Sequence, residues 1–155
     1  MSADPLLEVY TGLSLGYELK VAPALSGVLV QEYGFRNAPP ESVKEWLAID
    51  VLSMPQLPSR PGTWKGNVLF QVSAFSRGAG ERTDVTKVDA PGRLAAKVNP
   101  VFRQRNVSIK SHGTDPVVQV ATLSVREPRL ERIPPLERSD VWCVALTFTG
   151  FMFVG

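Results

Sequence analysis

The side chains that could do chemistry are few, because the chain of 155 residues contains one cysteine, Cys143, and one histidine, His112. An imidazole that takes the proton of a thiol, and a carboxylate that orients the imidazole, would make Cys143, His112 and Asp115 the triad of a cysteine hydrolase. However, Cys143 lies in the apolar sequence VWCVAL, and thiols within such strands are usually buried and unreactive. We therefore interpret Cys143 as a core residue and His112 as a polar residue in a turn at a strand end, and we expect no enzymatic activity.

Metal and cofactor sites are not indicated either. A zinc site needs more ligands than one histidine and one cysteine. The sequence GAG at 78–80 is too short for a phosphate-binding loop and is not followed by Lys-Ser or Lys-Thr. Helix capping and a solvated surface explain the acidic pairs in the second half of the chain. We expect no catalytic residue, no metal and no cofactor.

Basic side chains are concentrated between residues 77 and 110, where a phosphate-binding stripe is one interpretation. The acidic residues Glu81, Asp84 and Asp89 interleave with them, no aromatic platform accompanies them, and the net charge of the chain is only +2. A solvated loop and helix face therefore fits better than a nucleic-acid site, and a small DNA-associated module stays as an alternative function. The basic residues kept as candidates for contact with a partner or a DNA channel are Arg77, Arg82, Lys87 and Arg93.

Length and composition favour one globular domain over residues 1–155, with 44% hydrophobic and 21% charged residues. A single cysteine excludes an intrachain disulfide and favours a reducing compartment. The N-terminal segment 1–26 has no basic region before its apolar residues, and charges interrupt it, so we expect no signal peptide and no membrane span. These features predict a soluble protein made in the cytoplasm.

Hydrophobic periodicity predicts an α+β domain with a mostly antiparallel sheet of about six strands and one major helix packed on one face. The major helix begins at an Asp89 cap and runs to Phe102, with Pro100 kinking it or ending its regular part, and a second helix lies in 1–26, starting at Ser2 or Asp4. Proline and charge clusters predict exposed connections at 55–62 and over the arm 127–140. The predicted strands cover 27–35, 45–54, 66–77, 106–113, 115–127 and 140–155, and the second and third pair as an antiparallel hairpin.

The strand at 66–77 has two different faces, of which one is a core face carrying Val68, Phe70, Val72 and Ala74. The other face mixes Leu69 and Phe75 with polar side chains, which favours a contact between identical subunits; the alternative is that both residues lie under the helix. Asp50 shares a predicted strand face with Trp46, Ala48 and Leu52, so its carboxylate is expected to pair with an arginine of a neighbouring subunit or to lie at the sheet edge. Leu69, Phe75 and Asp50 are therefore the candidate subunit-interface residues.

The order of these segments resembles the tail terminator and head–tail joining proteins of long-tailed bacteriophages. The resemblance covers residues 28–150 and depends on FQVSAFSR leading through a glycine-containing loop and DAPGRLAAKV into a helix, and on the closing strand VWCVALTFTGF. It implies a structural virion protein at the head–tail junction, found in the host cytoplasm during assembly. The protein would form a hexameric ring, without any cofactor, that caps the tail tube and joins it to the head connector or stopper protein.

Within that resemblance, the long N-terminal segment 1–26 and the charged diproline arm 127–140 are departures from the family pattern. The basic candidates would face a partner protein, or would line the channel with weak and non-specific DNA contact. The alternative in the same class is another head–tail adaptor or tail component.

Overall fold

The computed structural model describes residues 10–11, 13–32, 39–40, 42–53, 64–77, 85–103, 107–110, 119–133 and 141–154. A seven-stranded sheet carries helices on one face, which confirms the predicted α+β class. The helical elements are α1 (Tyr17–Val21), a 3-10 turn (Pro23–Leu25) and α2 (Val85–Phe102). The strands are β1 (Leu29–Gln31), β2 (Glu45–Ser53), β3 (Trp64–Arg77), β4 (Val107–Lys110), β5 (Gln119–Val125), β6 (Arg129–Ile133) and β7 (Val141–Val154).

The sheet is built around the long pair β3 and β7, which are antiparallel over 14 residues each. The strand order is β1-β2-β3-β7-β5-β4, and β6 pairs with β7 beside β5. Only the β1–β2 pair is parallel among the described strands. The predicted β2–β3 hairpin is confirmed, and the central place of β7 explains why its sequence is apolar on both faces.

Helix α2 covers one face of the sheet, and an aromatic cluster marks the contact. The ring of Phe102 lies 5.0 Å from that of Phe70 and 5.4 Å from that of Phe148, and the rings of Phe70 and Phe148 are stacked at 5.0 Å. All three side chains are fully buried. Each one stabilises the fold by roughly 1.5–3 kcal/mol relative to an exposed position. Among the apolar residues that recur at helical spacing in α2, Leu94, Ala95, Val98 and Phe102 are buried and Val101 is partly buried.

The N-terminal segment covers the β1–β2 half of the same face. Its described residues are helical at 10–11 and 13–14, and the direction changes at Gly16, which has a φ of +66°. A Cβ at Gly16 would lie 2.9 Å from Val30 Cγ1, so glycine is required both for its conformation and for the close approach. The predicted start at Ser2 or Asp4 lies outside the described residues.

Helix α2 begins at Val85, four residues before the predicted cap, so the prediction that Asp89 caps it is wrong. The helix contains both Pro91 and Pro100. Each proline removes one backbone donor from the helix. Pro100 lies in the last turn, and the helix ends two residues later at Phe102.

The predicted exposed arm 127–140 is partly a strand, which corrects the sequence-based interpretation. Residues Arg129–Ile133 form β6 and pair with β7, although all five are exposed. β5 and β6 lie end to end along one edge of β7, with a bulge between them. Val125 opposes Gly150 and Arg129 opposes Thr147, so the chain advances four residues from β5 to β6 while β7 advances three. The N–H of Arg126 donates to the Thr149 carbonyl at 2.9 Å within this bulge.

Candidate functional site: the open face of the sheet

The face of the sheet opposite α2 is not covered by a helix in the part of the chain that the structure describes. We call it the open face. Cross-strand pairing places Trp46 opposite Phe75, Asp50 opposite Gln71 and Gln71 opposite Thr147, so alternate residues of β2, β3 and β7 share this face. Its residues in the three central strands are Trp46, Ala48, Asp50, Ser53, Lys65, Asn67, Leu69, Gln71, Ser73, Phe75, Arg77, Val141, Cys143, Ala145, Thr147, Thr149, Phe151 and Phe153.

The middle of the open face consists of small and polar side chains. Ala48 and Ala145 are buried among their neighbours, and Ser73 is half-buried between them on the central strand. The Gln71 Nε2 group donates to Thr147 Oγ1 at 3.2 Å and ties β3 to β7. The half-buried Asp50 lies directly across from Gln71. Side chains in this middle region are shorter than the aromatic side chains at the two ends of the face.

One end of the open face is closed by a packed cluster of Trp46, Phe75 and Arg77. The rings of Trp46 and Phe75 are stacked at 5.3 Å with an interplanar angle of 11°, and the Arg77 guanidinium lies 5.2 Å from the Trp46 ring. The same guanidinium donates from Nη1 to the Pro40 carbonyl at 3.0 Å and from Nη2 to the Pro39 carbonyl at 3.2 Å. Trp46 is only 3% exposed as a result. Arg77 therefore stabilises the protein's own backbone at this end.

The other end of the open face is accessible and carries two aromatic side chains, which oppose Asn67 and Lys65 on β3. Phe151 and Phe153 are 46% and 52% exposed, although both belong to the regular strand β7. Leu69 is half-buried, opposes Thr149, and is therefore a diagonal neighbour of Phe151. Large exposed aromatic groups on a rigid strand are typical of protein contact surfaces. The alternation along β7 reaches both phenylalanines two and four residues after Thr149.

The three interface candidates lie together on the open face. Leu69 is at its accessible end, Asp50 in its middle, and Phe75 in its closed cluster. The alternative that Leu69 and Phe75 lie under the helix is wrong, because Phe70 and Ala74, of the opposite parity, face α2 and the core. Asp50 shares the face with Trp46 and Ala48 as expected, and a register shift between Val51 and Ser53 interrupts the pattern before Leu52 can join them.

Two of the four basic candidates can be placed by their side chains. Arg77 and the exposed Arg93 both line a cleft of about 510 Å³ at the end of β3, together with Lys44 and Glu45. Arg82 lies outside the described residues. Lys87 lies in α2, and its side chain is not described. The cleft carries a net positive charge, but the Arg77 guanidinium is already bound to backbone carbonyls.

The candidates for catalysis are not brought together by the described residues. Cys143 is 7% exposed and opposes Phe75 on the open face, where the Trp46–Phe75 cluster adjoins it. His112 and Asp115 lie outside the described residues. Among the residues that the structure describes, no group of three acidic, histidine or cysteine side chains could hold a metal ion. In the same residues, no helix has the length and apolar character needed to cross a membrane.

Comparison with known proteins gives a fold and no family. No protein-family model matches the chain, and no curated protein matches it. Fifteen chains of solved structures match. One of them aligns with all of this chain and 97% of its own length, at 16% sequence identity and a TM-score of 0.52. At this identity the likeness shows a shared fold alone.

Proposed function

We propose that this protein is a structural subunit of a long-tailed bacteriophage, and that it forms a ring which ends the tail tube and joins it to the head connector. Two points support the proposal. The sequence over 28–150 resembles tail terminator and head–tail joining proteins; the chain has three strands before the major helix, as that resemblance implies, and four after it where three were expected. The chain also carries a sheet face with no helix over it in the described residues, which an assembling subunit can use.

The accessible end of the open face is the observation that carries the proposal. Leu69, Phe151 and Phe153 are apolar side chains on one face of two strands that are held rigidly by 14 residues of antiparallel pairing. An apolar patch on a rigid element loses little conformational entropy when a partner covers it, and aromatic groups dominate such contacts. A contact between this face and an unlike surface of an identical copy gives a ring where the rotation between copies closes.

The candidate residues take different roles in this proposal. Leu69 anchors the contact directly, Phe75 supports it by packing on Trp46, and Asp50 accepts an arginine from the neighbouring copy. Arg82, Lys87 and Arg93 face the tail tube protein, the head connector or DNA in the channel. We assign Arg77 to the closed cluster, because its guanidinium binds the carbonyls of residues 39 and 40.

A paired substitution tests the contact. The variant Leu69→Ser/Phe151→Ser should have a lower mass by light scattering than the unchanged protein at the same concentration. A matched control is Tyr10→Ser, which removes a 38% exposed aromatic group from the N-terminal helical segment and should leave the mass unchanged. Thermal unfolding checks that each variant is folded. An unchanged oligomer in the folded double variant would show that the open face does not join the copies.

A small DNA-associated module is the second candidate function, and the cleft lined by Lys44, Arg77 and Arg93 favours it. Such a module would bind DNA with an affinity that falls steeply as salt rises. A gel-shift titration of duplex DNA at low salt, repeated with Lys44→Gln/Arg93→Gln, is the appropriate test. Absence of a shift at low salt would dismiss DNA binding and leave the ring, or another head–tail adaptor or tail component, as the proposal.

A further inference from the structure

We propose that neighbouring copies of this chain join edge to edge, with β6 of one copy pairing with β1 of the next. The sheet would then continue from copy to copy around the ring. This inference rests on the ring of the proposed function, and it names a contact that is separate from the open face.

β1 at one side of the sheet and β6 at the other offer the edges; β4, which pairs with β5, lies one strand further out than β6. Within the described residues, β1 pairs with β2 and with no other strand, and β6 pairs with β7 and with no other strand. Each strand therefore has one edge to which no described strand is bound. Backbone groups along such an edge form hydrogen bonds readily with another strand.

Exposed apolar side chains are found at both edges and on matching faces. Leu29 of β1 opposes Trp46 and Ile133 of β6 opposes Cys143, so both belong to the open face, and they are 42% and 41% exposed. Leu130 lies on the other face, opposite Leu146, and is 62% exposed. On that same helical side, Val21 ends α1 beside β1 and is 55% exposed. A strand pair between copies would bring Leu29 to Ile133 and Leu130 towards Val21.

The strand directions agree with this contact. β1 is parallel to β2, and each following step from β2 to β3, β7 and β6 is antiparallel. β6 therefore runs antiparallel to β1. A rotation about an axis parallel to the strands leaves the strand directions unchanged. In a neighbouring copy generated by such a rotation, β1 therefore runs antiparallel to β6 of the first copy. Two unlike edges of one chain give a head-to-tail contact, which does not stop at a dimer and forms a ring where the rotation between copies closes.

Both edges also carry charged side chains. β6 exposes Arg129, Glu131 and Arg132, of which Arg132 lies over the Trp142 ring, and Glu32 follows β1 directly, where it is ion-paired with Lys20 of its own chain. A basic side chain from the next copy would extend that pair into a network. Matched direction and matched apolar faces on two edges of the same chain favour a second copy over an unrelated protein as the occupant.

Disulfide trapping tests this contact directly. The variant Leu29→Cys/Ile133→Cys is made with Cys143→Ala, since Cys143 opposes Ile133 and would compete. Within one copy, β1 and β6 are separated by four strand spacings of about 4.8 Å each, or roughly 19 Å. A disulfide needs Cβ atoms about 3.8 Å apart, so a bond between the two introduced thiols joins two copies.

We expect mild oxidation to give a ladder of cross-linked species that ends at the hexamer on a non-reducing gel. The single variants Leu29→Cys and Ile133→Cys are controls and should not go beyond dimers. Leu29→Cys/Leu130→Cys is the matched control, because its thiols lie on opposite faces and should cross-link several-fold less. A hexamer by light scattering without a ladder would overturn the edge contact and leave the ring. A monomer without a ladder would overturn both.

A measurement on the unchanged protein covers the case in which the variants do not fold. Amide hydrogen exchange of residues 129–133 should slow at least tenfold when the concentration is raised from that of the monomer to that of the oligomer, because their outward amides become bonded. Equal exchange at the two concentrations, with the oligomer present, would contradict the pairing of β6 with a second copy.

Discussion

Replacing Arg77 by methionine should destabilise the monomer, because this side chain holds the closed end of the open face. Its guanidinium donates to the carbonyls of Pro39, Pro40 and Val43 at 3.2, 3.0 and 3.4 Å, and it lies over the Trp46 ring. Methionine keeps an apolar stem over the tryptophan and loses all donors.

The magnitude follows from these contacts. The two shorter hydrogen bonds are worth about 1 kcal/mol each at a half-buried position, the longest contributes less, and the cation–π contact adds about 0.5–1 kcal/mol. Arg77→Met should therefore lower the free energy of unfolding by about 2–3 kcal/mol. For a chain of this length that corresponds to a fall in melting temperature of roughly 4–12 °C.

Urea unfolding followed by tryptophan fluorescence measures this difference. Arg77→Lys should recover less than half of the loss, since an ammonium group keeps the charge but not the planar fork that reaches separate carbonyls. Lys97→Met on the exposed side of α2 is the control and should change stability by less than about 0.5 kcal/mol. Equal stability of Arg77→Met and the unchanged protein would refute the structural role of Arg77 and restore it as a partner-facing residue.

Other substitutions test the packing and the reactivity of the fold. Gly150→Ala should lower the free energy of unfolding by about 1–3 kcal/mol in urea titration. The reason is that its Cβ would lie 2.9 Å from Leu123 Cδ1 and 3.1 Å from the Ser124 carbonyl oxygen. Unchanged stability would show that β5 moves away from the added methyl group without cost. Phe102→Ala should cost about 3–5 kcal/mol by calorimetry, since it empties the aromatic cluster under α2, and a loss below about 1 kcal/mol would contradict that packing. The thiol of Cys143 should react with a chromogenic disulfide reagent at least tenfold faster in urea than in the native protein, because it is 7% exposed; fast native labelling would return the cysteine hydrolase to consideration.

Local periodicity accounts for what the sequence predicted well. In residues 66–77 the alternation of apolar side chains identifies the core face, and the structure buries Val68, Phe70, Val72 and Ala74 as expected. The same alternation places Leu69 and Phe75 on a second face. What it leaves undecided is whether a helix covers that face, because the answer depends on elements far away in the chain.

The remaining differences arise from contacts that sequence position does not reveal. β6 was interpreted as part of a solvated arm because Arg129, Glu131 and Arg132 are charged, and only its pairing with β7 makes it a strand. Arg77 was grouped with the basic residues near it in sequence, whereas its partners lie 34–38 positions away.

The mass of the purified protein in solution tests the central claim most directly. Light scattering behind a sizing column, over a concentration series at moderate salt, should give a discrete species near six times 17.0 kDa. The same measurement should be repeated after addition of tail tube protein. A mass of 17.0 kDa at every concentration, with and without the tube protein, would contradict the ring.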